Sequence, residues 1–335
     1  MPPAASPAPT ATGSSAAPSG ARVWVALSLV YVVWGSTYLA IVYVVATLPP
    51  LLSAGVRFLT ASALLGVFLL VRRGPSAFRT TRRQLLSAAG IGLLLLLGGN
   101  GGVTIAEHHH LPSGLTALLV AGVPLFVVVL RTLGRDRPAG RTLVGVSIGF
   151  VGLAVLLLPG ARPEGVSLLV AATVVGSSLL WSVGSFTASR VDLPPDALLT
   201  TIVEMTGGGI GLLLVGALSG ERLHPEQVHL SSVLGLAYLI VFGSMVAFTA
   251  YSWLLGVAPV SKVATYAYVN PVVAVLLGAA IAHEQLTTTT LVGGGLTLVA
   301  VAVVVAAEGR RRSAPVGAAG QSPEDRQGRE RSSAT

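Results

Sequence analysis

Cysteine is absent from all 335 residues. That excludes a disulfide framework, a thiolate metal site and a cysteine nucleophile. Charge is scarce as well: ionisable Asp, Glu, Lys and Arg make up 10% of the chain, against 53% hydrophobic residues. Long runs of Leu, Val, Ala and Gly carry almost no charge, and such a chain is not soluble as a monomer. The formal charge of +8 does not form the basic face that a nucleic-acid partner requires, because the arginines sit in short loops between apolar runs. They read instead as an orientation signal. A Walker A sequence is also missing, which argues against direct use of ATP, and the composition implies no cofactor.

What is present is a series of apolar segments. A membrane core about 30 Å thick needs about 20 helical residues per crossing. Ten segments meet that requirement, at approximately 23–47, 51–71, 85–106, 112–131, 141–158, 166–188, 196–218, 231–255, 261–282 and 288–307. The sequence therefore predicts an all-α membrane protein of ten transmembrane helices. Breakers agree with the divisions: Pro49, Pro50, Gly74, Pro75, Pro112, Pro138, Pro159, Gly160, Pro194, Pro195, Pro225 and Pro259 fall between spans or in their first turns. After Met1, residues 2–21 are Pro, Ala, Ser, Thr and Gly; residues 1–21 lack folded-core potential and are expected to form a disordered tail, as are the polar residues 308–335. A cleaved signal peptide is not expected, because Arg22 directly precedes a full-length span.

Loop charge sets the orientation. With the N-terminus taken as cytoplasmic, eighteen basic residues fall on that side: Arg22, five between Arg72 and Arg83, four between Arg131 and Arg141, Arg190, Lys262, and six from Arg310 to Arg331. Arg162 and Arg222 alone fall on the other side, and Arg57 lies within a span. This positive-inside bias places both termini in the cytoplasm.

Three residue pairs share one spacing. Trp34 and Trp181, Pro112 and Pro259, and Pro124 and Pro271 are each 147 positions apart, the signature of an internal duplication. Five spans is an odd number, so the second copy must enter the bilayer upside down, the plan of a secondary transporter. The predicted repeats are 22–158 and 166–307. Loop charges agree, since the arginine-rich loop between spans two and three has a counterpart with one arginine, and that between spans four and five has a counterpart with none.

Several stretches resemble the EamA-type permeases of the drug/metabolite transporter superfamily. They are Tyr31-Val-Val-Trp34-Gly35-Ser36-Thr37-Tyr38, Arg57-Phe58, Gly99-Asn100-Gly101 through Leu111-Pro112-Ser113-Gly114, and above all Ala264-Thr265-Tyr266-Ala267-Tyr268-Val269-Asn270-Pro271-Val272-Val273 leading to Glu284. The likeness covers about residues 23–307. At the end of span four, Gly134-Arg135-Asp136-Arg137 offers an aspartate where the family usually has a glutamate. The resemblance implies ten helices in two inverted halves, multi-pass residence in the bacterial inner membrane, efflux of a small molecule and proton coupling. It leaves substrate identity open, and a homodimer is compatible with it.

An in-plane two-fold axis maps midplane residues onto midplane residues, which makes Trp34, Trp181, Pro124 and Pro271 candidates for a central cavity. A proline frees the carbonyl four residues before it, for packing bends or for a cavity. Tryptophans offer flat faces for stacking or cation-π contact, or volume filling. Asn100, in a run of glycines poor in helix propensity where local unwinding would expose carbonyls to a cavity, and Asn270 either bond a neighbouring helix or meet the substrate. Tyr266 adds a polar edge. Arg57 and Glu204, again 147 apart, are intramembrane charges and so functional candidates by default, with Glu204 the candidate for proton coupling and a fixed ion pair the competing reading. Glu107-His108-His109-His110 superficially resembles a metal cluster, but neighbouring helical residues splay by about 100°. It is expected to be an exposed cap. His283-Glu284 is read as a helix-end loop with a capping or gating role. A membrane-embedded enzyme would need an acid, base or nucleophile cluster at one depth, and a receptor or scaffold would not require duplicated midplane Pro and Trp, so a secondary transporter remains the leading reading.

Overall fold

A computed structural model describes residues 20–135, 138–258 and 260–313. Most of both predicted tails, together with Asp136, Arg137 and Pro259, lies outside them. Among the described residues there is no strand, and eight helices are long and apolar enough to cross a membrane. They are α1 (Gly20–Val45), α2 (Pro50–Arg73), α3 (Arg82–His108), α4 (Ser113–Leu133), α6 (Leu168–Ala188), α7 (Ala197–Leu218), α8 (Leu230–Tyr251) and α10 (Thr288–Ser313). Two shorter apolar helices interleave with these, α5 (Gly140–Leu156) and α9 (Tyr266–Ile281). The ends differ modestly from expectation: α1 begins at Gly20, and α10 continues past 307, where Glu308 pairs with Arg131 of α4.

Local chemistry explains where the helices start. Pro50 occupies the first turn of α2, where its missing N–H would have had no intrahelical partner. A capping box opens α3: Gln84 N donates to Thr81 Oγ1 at 3.2 Å while Thr81 N donates to the Gln84 side chain at 3.1 Å. Asp196 opens α7 by accepting from the backbone of Leu198 at 2.8 Å.

Packing between the halves follows the duplication. Helix α1 packs on α8 and α9, and its counterpart α6 packs on α3 and α4. Helix α2 pairs with α7, α4 with α9, and α5 with α10, so each helix at these crossings meets its own copy. Small residues permit the approach. A Cβ on Gly92 of α3 would lie 2.1 Å from the Glu204 carbonyl oxygen of α7, and one on Gly152 of α5 would lie 2.9 Å from the Gly293 carbonyl of α10. Outward faces of the bundle are rich in exposed Leu and Val, among them Val71, Leu169 and Leu218, a surface suited to lipid rather than water.

The backbone around Asn100 does not unwind. Residues Leu93–Asn100 form a π-helical segment within α3, closed by Gly101 N donating to Leu96 O, five residues back. The wide turn accommodates the glycines while keeping the backbone bonded, which an apolar setting demands. A second π-helical segment spans Leu239–Val246 in α8, almost 147 positions later. The wide turn thus recurs in both halves.

Hydrogen bonds sort the helix ends into two sets. At one end, Thr47 meets Ser232, Leu51 meets Glu221, His108 meets Val45 and Ser113 meets Glu284. At the other, Arg73 meets Asp196, Gln84 meets Asp192 and Arg131 meets Glu308.

Candidate functional site

Between the halves lies a cavity of about 170 Å³. Five of the residue pairs lining it stand 147 apart: Trp34 with Trp181, Leu96 with Gly243, Val120 with Ala267, Val123 with Asn270 and Pro124 with Pro271. Both copies thus contribute equivalent positions to one cavity. Val120 and Ala267 are the residues four positions before the two prolines, the carbonyls that proline leaves without a helical donor. Around Pro124 the helix is interrupted by a turn at Ala121 and Gly122, and the Ser182 hydroxyl donates to Val123 O at 3.1 Å. Pro271 remains inside a continuous α9.

The other expected cavity residues, Asn100 and Tyr266, also line this space, and so does Arg57. Trp34 is fixed by its indole N–H, which donates to Gly243 O at 3.1 Å, and by an aromatic cluster with Phe248, Tyr251 and Tyr266 at centroid separations of 5.3, 5.1 and 5.3 Å. Trp181 lies against α3 where Gly99 leaves room, since a Cβ there would be 2.7 Å from the indole. The amide oxygens of Asn100 and Asn270 are buried without a hydrogen-bond partner, although polar groups in such surroundings normally find one.

Arg57 is buried, with its Nε donating to Ser244 Oγ at 3.0 Å and its guanidinium 4.7 Å from the Phe58 ring centroid. It makes no ion pair among the described residues. Glu204, its partner in the spacing, is half-buried on α7 and does not line the cavity. At that level the α2–α7 contact is made by Ser62, which donates to Ile202 O at 3.0 Å and shares a 2.6 Å hydrogen bond with Thr206.

The expectation of an exposed cap at 107–110 is half overturned. His108, His109 and His110 are exposed, but Glu107 is 2% exposed, with neither carboxylate oxygen hydrogen-bonded. Its helical phase follows Val103 by one turn, and Val103 lines the cavity. Among the described residues no cluster of three or more His, Cys, Asp or Glu could hold a metal ion.

The fold and this cavity define a polytopic helical membrane protein with a solute-sized site between two related halves. A profile of the EamA-like transporter family matches residues 22–158 and again 168–306. The chain belongs to that family. It is 40% identical over 265 residues to the inner membrane transporter YedA of Escherichia coli K12, described as uncharacterized, covering 78% of this chain and 83% of the relative. It is 24% identical to a probable amino-acid metabolite efflux pump of the same organism, over 77% of this chain and 86% of the pump. A crystal structure at 20% identity matches with a TM-score of 0.57, covering 88% of this chain and 100% of the solved one, which supports the fold.

Proposed function

We propose that this chain is a secondary transporter of the inner membrane that exports small metabolites or amino-acid-like compounds by alternating access. The observation that carries the reading is the cavity lined by five residue pairs at the repeat spacing, because a site on the axis between inverted halves can be exposed to either side by rocking one half against the other. In this reading the chain crosses ten times, with α5 and α9 as the short crossings, and the positive-inside bias supports a cytoplasmic location for both termini and for the arginine-rich ends of α2, α3 and α4. At 17 residues, α5 spans about 25 Å, adequate for a thin or locally adjusted bilayer.

The lining suits an amphipathic zwitterion. Arg57 offers a charge-assisted donor to a carboxylate, the oxygens of Asn100 and Asn270 accept from an amine, and the faces of Trp34 and Trp181 cover an apolar portion. An engineered cavity of about 150 Å³ accommodates benzene, so a solute of amino-acid scale fits here. The name of the E. coli efflux pump points the same way. Counterflow in liposomes tests the proposal: vesicles preloaded with one amino acid at high concentration should accumulate the labelled form only when they contain the protein. Failure across amino acids and their simple derivatives would overturn it.

A further inference from the structure

Glu107 is a buried acid that solute binding does not explain. Both of its oxygens lack a donor, and it sits seven residues, about 10 Å, along α3 from cavity-lining Asn100. Glu284, from the loop between α9 and α10, acts on it electrostatically, and Glu107 in turn acts on Tyr38 of α1, itself a cavity residue. Helix α6 and the first half of α4, which also pack against this segment, carry no titratable residue. Along its buried length α2 brings Arg57, which is engaged with Ser244. The ring of the adjacent His108 turns to Val45 O at 3.2 Å.

Glu284, by contrast, is well supplied with donors. One oxygen accepts from Ser113 N and Ser113 Oγ, each at 2.7 Å, and the other from Gly114 N at 3.0 Å. A second negative charge within the field of the first, buried without any donor, is strongly disfavoured. Glu107 therefore needs a positive companion, and among the described residues no basic side chain forms an ion pair with it.

We propose that Glu107 is an exchangeable proton site at the end of the cavity, occupied while Glu284 caps Ser113. The proton forms the O–H bond of the carboxylic acid in this closed arrangement. When the Glu284 cap parts from α4 and water enters, the bond breaks heterolytically, the proton leaves to water, and the carboxylate remains hydrated. Reclosure returns a proton to Glu107. The coupling role rests on the transport reading; the proton site itself does not.

Dicyclohexylcarbodiimide tests the site directly, because it reacts with protonated carboxyl groups in apolar surroundings. The purified full-length protein is treated across a pH series and the adduct located by mass spectrometry. The expected result is an adduct on Glu107 that falls at least tenfold between acid and alkaline pH and is insensitive to sodium. Absence of an adduct at every pH overturns the proposal, as does an adduct that sodium suppresses at constant pH, which would make the occupant a metal cation. Suppression by an amino acid at constant pH, without a pH effect, overturns it in favour of a solute ammonium. The wild-type protein supplies every readout, so no variant has to fold. A pH-dependent adduct together with failed counterflow would sink the transport reading while leaving the proton site standing.

Discussion

Glu284 closes the N-terminus of α4 by accepting both the backbone N–H and the hydroxyl of Ser113. The cap crosses between the halves, since Glu284 belongs to the second repeat and α4 to the first. Glu221 does the same for α2, accepting from Leu51 N and Leu52 N at 3.1 and 2.9 Å. Two loops of the second copy thus hold two helices of the first at the same end of the bundle. An acid is suited to this position because the free N–H groups and the helix dipole both favour negative charge there.

Replacing Glu284 by alanine should destabilise the protein by about 1–3 kcal/mol, since the buried Ser113 loses its acceptor. Glu284→Gln keeps one acceptor oxygen and should fall between the two. Thermal unfolding of the detergent-solubilised protein reads the order, and equal melting of all three forms would show that the cap contributes nothing to stability.

Gly92→Ala should be costly although the change is one methyl group. The added Cβ would meet Glu204 backbone, with its carbonyl carbon at 2.7 Å as well as its oxygen at 2.1 Å, and backbone cannot rotate aside as a side chain can. Overpacking of this kind costs about 1–3 kcal/mol. Gly90→Ala, two residues earlier, meets no atom within 4 Å and should be neutral or slightly stabilising through helix propensity. Melting temperatures of the two variants provide the comparison.

Arg57→Gln should weaken apparent affinity for a carboxylate-bearing solute by tenfold or more, since hydrogen bonds to charged groups contribute about 1.5–3 kcal/mol. Arg57→Lys should recover part of that loss but not all, because an ammonium cannot hold Ser244 and a carboxylate in the same planar geometry. Concentration dependence of counterflow reports the effect, and a decarboxylated analogue should be insensitive to the substitution. If the analogue and the parent solute lose equally, Arg57 acts on cavity shape rather than on the carboxylate.

The duplication was legible because it is written in residue identity: a tryptophan and a proline repeated at 147 positions lead directly to the cavity pairs. Leu96 with Gly243 and Val120 with Ala267 were not legible, since the paired residues differ in type and only their positions are related. Glu107 was misread because it begins a polar run at a span end, where hydropathy sees an interface. Its burial follows from which side of α3 it occupies, and that phase depends on the π-helical segment seven residues earlier, which rotates all that follows. Glu204 was legible as an intramembrane acid, but the sequence did not show that it sits outside the cavity lining while Arg57, its partner in the spacing, lies within it.

The cysteine-free sequence makes orientation directly measurable, because any introduced thiol is unique. Gln227 lies exposed in the short turn between α7 and α8, and Ser76 lies exposed between α2 and α3. The two loops are equivalent in the repeat and should face opposite sides of the membrane if the second copy is inverted. With a membrane-impermeant maleimide on spheroplasts, Gln227→Cys should be labelled in intact cells and Ser76→Cys only after lysis. Both positions carry surface polar residues, so neither substitution should disturb packing, and expression levels serve as the check. Labelling of both in intact cells would place the two loops on one side and remove the inverted arrangement. Without that arrangement, the duplicated lining of the cavity would lose its explanation as a site shared by two opposed halves.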